Sequence, residues 1–412
     1  MCSEATLGRK VYHNHSNVTR AQWWVPVTIT ALAFAALGLP DGALGVAWPS
    51  MRRDLGRPVS GLAVLLLLMM AGHLAAGVGT GPTVARIGPG RLLLWSNLAF
   101  AASAFGFALA PGWWTLMLTA LVTGTAAGLI DAGLNTFAAA RFSPGAITML
   151  HGCFGAGAML GPLLLGRVLE TGRSWRVGYA IIACALCAMT LALALARHVL
   201  DGTHRAVPAT ATASDPRLAE MLGRPGTWLA GGLFFLYTGL EVIPGRWAYS
   251  LLAESRGMAP ERAAGAVAAY WGSLSLGRVL LGAVARRVAP RRVLRACLAG
   301  TPVGAALLWT GGDGLPSVIG LVILGLCFAP VFPLMIGLTP ERVGSSHAGH
   351  AIGLQVAAAA LGGGVLPGAI GFLARRTGLE VVGPFLLVTA LATLALYEGS
   401  EAWARLRPPP SP

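Results

Sequence analysis

The chain has 412 residues, of which 55% are hydrophobic and only 11% charged, with a mean hydropathy of +0.68. A water-soluble domain usually carries about a quarter charged residues, so this composition is built for lipid. The net charge of +14 lies in short clusters between apolar runs rather than in one basic domain. That argues against a nucleic-acid surface and matches the arginine bias of cytoplasmic loops in membrane proteins.

An α-helix rises about 1.5 Å per residue, so crossing about 30 Å of hydrocarbon takes about 20 apolar residues. Only helices or closed barrels satisfy every backbone group in lipid, and these runs are too long and continuous for barrel strands. Twelve spans are predicted, at about 23–49, 60–83, 91–111, 113–138, 146–170, 174–197, 227–252, 262–286, 291–311, 315–338, 347–374 and 378–403. The first run is too long for the core of a signal peptide. The expected fold is an all-α membrane protein of twelve transmembrane helices in two pseudo-symmetric six-helix bundles. A polar stretch at 198–226 is read as a cytoplasmic linker between a bundle in 1–197 and a second in 227–412. With the N-terminus inside, the inner segments hold eighteen Lys and Arg residues against ten on the other side. Both termini are therefore expected in the cytoplasm, with the chain in a cell inner membrane. The halves look related: GlyProThrValAlaArgIleGlyProGlyArg (81–91) parallels GlyAlaValAlaArgArgValAlaProArgArg (282–292), and parallel six-helix repeats build one large class of carriers.

An ionisable side chain at the membrane centre costs about 3 kcal/mol or more, which makes each one a functional candidate. Asp41 lies in the first span beside Pro40, Gly42 and Gly45, which are expected to break the helix and line a cavity. His73, alone on the second span, is read as packing. Asp131 and Asn135 sit one turn apart on the fourth span and share a face. His151, near the start of the fifth span, is at a similar depth, so an Asp131–His151 contact is expected. Desolvation and a neighbouring imidazole act oppositely on a carboxyl group, which suits a proton site near neutral pH.

In the second half, Glu241 and Arg246 flank Pro244 on the seventh span and are expected to pair with each other or with the first half. Trp247 follows Arg246. Tyr270 and Trp271 precede Arg278 by about two turns on the eighth span, an arrangement suited to stacking against a flat or sugar-like solute. Arg278 needs a counter-charge, for which Asp131 and Glu241 are the candidates. Gln355 holds in the eleventh span about the place of His151 in the fifth. Glycines in the fifth and eleventh spans (Gly155, Gly157, Gly161; Gly362, Gly363, Gly364) permit close helix approach. Five of the six cysteines lie in apolar runs, among them Cys184 and Cys187, and are read as small buried hydrophobes rather than metal ligands.

No phosphate-binding loop, nucleophile elbow or HExxH motif occurs, so an ion or solute gradient is the expected energy source and no cofactor, metal or enzymatic activity is expected. The stretches GlyLeuIleAspAlaGlyLeuAsn (128–135) and LeuHisGlyCysPheGlyAlaGlyAlaMetLeuGlyProLeuLeu (150–164), with TyrThrGlyLeuGlu (237–241), ArgTrp (246–247), TyrTrpGly (270–272) and GlyArg (277–278), resemble the fucose permease-like branch of the major facilitator superfamily. The resemblance implies a proton-coupled sugar symporter, with Asp41 and Asp131 matching acids that serve proton coupling and sugar binding, and Asn135 on the substrate face. One departure stands out. The loop after the second span, where the family carries an Asp, has Ala85 followed by Arg86, and the loop after the eighth span also lacks the acid.

The expected function is secondary active transport of a small solute by alternating access, coupled to protons. Asp41, Asp131 and His151 would carry coupling; Asn135, Glu241, Arg246, Trp247, Tyr270, Trp271, Arg278 and Gln355 would contact substrate. The partners are a small molecule, the proton and the lipid bilayer, with no nucleic acid. A proton-driven exporter of drugs or secondary metabolites is the alternative, and a non-transporting sensor or scaffold is a third reading.

Overall fold

The computed structural model describes residues 20–201, 220, 222–223, 225–284, 289–344 and 347–405. Among them the first half forms α1 (Arg20–Asp54), α2 (Gly61–Ile87), α3 (Pro89–Leu109), α4 (Trp113–Arg141), α5 (Pro144–Glu170) and α6 (Trp175–Asp201). The second half forms α7 (Pro225–Ser250), extended by a π-helical turn (Leu251–Ser255), then α8 (Pro260–Val284), α9 (Pro290–Thr310) and α10 (Leu315–Phe328). The short α11 (Val331–Gly337) and α12 (Thr339–Val343) follow, then α13 (Ala348–Thr377) and α14 (Val382–Arg405). Counting α10 and α11 as one span, twelve helical segments of 21 residues or more cross the protein. At 1.5 Å per residue, each exceeds about 30 Å.

Ten of them are apolar enough to cross a membrane by composition alone. In α2 the apolar stretch is shorter, Gly61–Gly77. The remaining helix, α8, carries Tyr270, Trp271, Ser273, Ser275 and Arg278, all buried or half-buried inside the bundle. Helix starts are marked by proline in the first turn of α3, α5 and α9, where a missing N–H costs nothing. The α2–α3 connection is the single residue Gly88 at φ +87°, a backbone conformation open mainly to glycine. The segment 202–219, within the expected linker, lies outside the described residues.

Packing repeats between the halves. In the first, α1 packs on α5 and α6, α2 on α4, and α3 on α4 and α6; in the second, α7 packs on α13 and α14, α8 on α10, and α9 on α10 and α14. The two sets meet along α5–α8 and α2–α13, with α1 against α7 between them. Lipid supplies no hydrophobic drive for helices to associate, so close van der Waals approach must do it, and small residues permit that approach. A methyl group on Gly157 would stand 1.9 Å from the Ala35 carbonyl oxygen, and one on Gly362 1.9 Å from that of Phe235. The glycines of α5 and α13 thus serve close contact, as their runs predict.

Two expectations need correction. Helix α1 is continuous through Pro26, Pro40 and Pro49. Its Gly38 and Gly42 do not break it; they let the backbone of α5 approach, with Phe154 and Ala158 oxygens within 2.1 Å of any added Cβ. Cys184 and Cys187 are exposed on the surface of α6 rather than buried.

At the end where α1 passes to α2, the halves are closed. Ala63, Leu67 and Met70 of α2 lie against Gly371, Gly368 and Gly364 of α13. Toward the opposite end the same helices part: methyl groups on Gly77 and Gly79, or on Gly349 and Gly353, would meet nothing within 4 Å.

Candidate functional site

The interior charges form three groups, stacked between the closed end and the open one. Nearest the closed end, Arg246 of α7 reaches across to α1, where Nη2 pairs with Asp41 Oδ1 and Nη1 donates to the Asp41 carbonyl. The side chain of Arg246 is only 6% exposed and that of Asp41 27%, so the pair is approached from the Asp41 side. Close approach here depends on glycine: a Cβ on Gly45 would fall 2.3 Å from the Gly245 carbonyl oxygen. The Trp271 ring covers Gly245 from α8, edge-on to Phe154 of α5 at 6.3 Å.

The second group is a cage around Glu241. Arg278 Nη2 donates to Oε1 at 3.0 Å, and the Tyr237 hydroxyl meets Oε2. Tyr237 also lies 3.1 Å from the Phe328 carbonyl, and the Tyr270 hydroxyl donates to the Glu241 carbonyl. Both tyrosines are fully buried. Tyr237 and Glu241 are one turn apart on α7, so the helix itself delivers hydroxyl and carboxylate to one face.

The third group joins α4 to α5. Asn135 donates Nδ2 to Asp131 Oδ1 and to the Asp131 carbonyl, each at 2.9 Å, while its Oδ1 lies 2.9 Å from His151 Nε2. An amide that turns its NH2 to a carboxylate turns its oxygen to the imidazole. Nε2 must then carry the hydrogen that fills this bond. The expected Asp131–His151 contact is therefore made through Asn135, because the amide fills the space between them. Phe34 of α1 packs on the imidazole, ring centres 4.9 Å apart. Arg278 lies within electrostatic reach of His151, and Ser275, one turn earlier on α8, donates to the Gly152 carbonyl at 2.5 Å. The second and third groups thus face each other across the α5–α8 contact.

Two predicted residues sit apart from these groups. Trp247 is fully buried and donates Nε1 to the Pro367 carbonyl at 2.9 Å, joining α7 to α13. Gln355 is buried and accepts from Thr339 Oγ1 at 2.9 Å. Conversely, Tyr237, Ser275, Phe34 and Phe154 belong to the site though sequence reasoning gave them no role. Only Tyr237 offered a signal, one turn before Glu241. Three interior donors remain unpartnered: Arg246 Nε, Arg278 Nε and Trp271 Nε1.

The family profile described as Major Facilitator Superfamily matches residues 30–367 and 229–412. The chain belongs to the Major Facilitator Superfamily. It is 24% identical over 380 residues to an uncharacterized MFS-type transporter of Yersinia pestis, covering 89% of this chain and 94% of that one. The glucose/mannose transporter of Bacillus subtilis is 21% identical over 373 residues, with 87% and 90% covered. Sodium-dependent glucose transporter 1 of Danio rerio is 24% identical over 390 residues, which span 85% of this chain and 64% of the relative. The crystal structure of the nucleoside transporter NupG superposes with a TM-score of 0.76 at 12% identity, covering 92% of this chain and 99% of NupG. The major facilitator fold is thereby established for this multi-pass membrane transporter, and the three charge groups lie between its two halves.

Proposed function

We propose that this major facilitator protein is a proton-coupled symporter of a small polar solute, a sugar or a close relative, working by alternating access. The observation that carries this reading is the distribution of interior charge. Asp41 is matched by Arg246 and Glu241 by Arg278. Asp131 has no cation at salt-bridge distance among the described residues; it is held by Asn135 alone. An acid without a counter-ion in a membrane interior is costly when ionised and is stabilised by a proton. Solute arrival between the halves would be felt at Asp131 through Asn135, and at Arg246, Arg278 and Trp271 through their unpartnered donors. Sugar as substrate class is supported by the stacking face of Trp271, the likeness to the fucose permease-like branch and the named activities of the bacterial and animal relatives. In this reading the termini and the open end face the cytoplasm, the 202–219 segment is a cytoplasmic linker between two six-helix domains, and the closed end faces outward.

The test is uptake into proteoliposomes over a panel of sugars and related metabolites, driven in turn by a pH gradient and a sodium gradient. Accumulation of at least one sugar under the pH gradient is expected. Accumulation under sodium alone would replace the proton as coupling ion, and export of apolar compounds without sugar uptake would favour the exporter reading.

A further inference from the structure

A second binding site lies outside the chamber, at the closed end. There the two halves meet over a cleft of about 500 Å³. The first half contributes Arg52 and Val59; the second contributes Glu254 from the π-helical turn, Ala374 and Arg375 from the last turn of α13, and Leu379 beyond it. Arg52 Nη2 and Glu254 Oε1 pair at 2.7 Å across the seam. That bond uses the cleft's one acid.

The cleft retains one uncompensated cation. Arg375 is exposed and makes no hydrogen bond or ion pair among the described residues. The nearby Glu380 does not serve it, because Glu380 is taken by Arg256 at 2.7 Å and by the Ser255 hydroxyl at 2.9 Å. Asp54 is likewise engaged, by Trp175 Nε1 at 2.7 Å. Arg52 adds a second donor: its Nε is buried and has no partner. The start of α2 lies beside Val59, and its cap residue Ser60 makes no side-chain capping bond, so the positive end of that helix dipole is also open. The end of the α13 dipole opposes this, but Arg375 and Arg376 stand in its last turn. Val59, Ala374 and Leu379 give the cleft an apolar wall.

We propose that this cleft binds a small organic carboxylate, with its anionic head between Arg375 and Arg52 and its apolar body against Val59 and Leu379. A ligand touching both halves exists in this form only while that end is closed, so it favours the closed arrangement by its differential affinity for it.

The test is calorimetric titration of the purified full-length protein with benzoate and with the neutral isostere benzamide. Benzoate is expected to bind saturably and benzamide at least tenfold more weakly. Arg375→Gln should weaken benzoate at least tenfold, whereas Arg376→Gln, with the same change in net charge, should bind it as the wild type does. Leu379→Trp, which fills the apolar wall, should abolish binding. Equal affinity for the two probes, an equal loss in both arginine variants, or unchanged binding in Leu379→Trp would each overturn the proposal.

Discussion

His151 and Gln355 occupy the same position in α5 and α13, and each bonds the residue sixteen places before it, Asn135 and Thr339 respectively. The parallel continues one turn further. Asn135 bonds the carbonyl of Asp131 at 2.9 Å, and Thr339 that of Met335 at 3.1 Å. The repeat therefore keeps the hydrogen-bonded scaffold in both halves, and puts a titratable acid and imidazole in only one. His151→Gln should keep the bond to Asn135 through its amide, fold normally and retain solute exchange, while shifting the pH profile of uptake. Gln355→Ala should lower stability by about 1 kcal/mol, the worth of an ordinary hydrogen bond, and leave the pH profile unmoved. Uptake measured from pH 5.5 to 8.5 separates the two.

Asp41 and Arg246 join the halves by a buried pair. Removing one partner of such a pair typically costs about 3–5 kcal/mol, because the other charge is left without compensation. Asp41→Asn and Arg246→Gln should each lower the melting temperature in detergent, and the double variant should recover part of that loss. Additive losses in the double variant would mean that the two side chains do not act as a pair.

Within the Glu241 cage, the carboxylate takes an arginine and a tyrosine hydroxyl. Tyr237→Phe removes one neutral donor and is expected to cost about 1 kcal/mol. Glu241→Gln strands Arg278 and should cost several times more. A thermal-denaturation series on purified variants gives the ranking directly.

Glycine positions give a sharper contrast. A methyl group on Gly42 would stand 1.9 Å from the Ala158 carbonyl oxygen, whereas one on Gly77 would meet nothing within 4 Å. Gly42→Ala should therefore reduce the yield of folded protein severely. Gly77→Ala should be neutral or stabilising by up to about 1 kcal/mol, the helix-propensity difference. Fluorescence size-exclusion of the two variants suffices.

The fold was legible because lipid imposes a length and a composition on every span, and the linker and repeat spacing follow from chain order. Local details were less so. Pro40 looks like a helix breaker in isolation, yet α1 runs through it because packing of Gly38 and Gly42 on α5 holds the helix in place. The interior charges were visible one by one as costly residues. Their pairing was not, since Arg246 and Arg278 each had more than one acid within plausible reach, and only the helix arrangement assigns Asp41 to the first and Glu241 to the second. Asn135 shared a face with Asp131 by spacing alone, but its place between Asp131 and His151 depends on how closely α4 and α5 approach. Trp247 lay beside Arg246 in sequence and faces α13 instead, because adjacent helical residues point about 100° apart.

The central claim is that Asp131, the interior acid without a cation, carries the proton. Its most direct test is solute-induced proton movement in weakly buffered proteoliposomes, followed with an entrapped pH dye, for the wild type and Asp131→Asn. The wild type should take up protons with the solute, and the variant should exchange labelled solute while moving none. Proton uptake by Asp131→Asn at the wild-type rate would contradict the account.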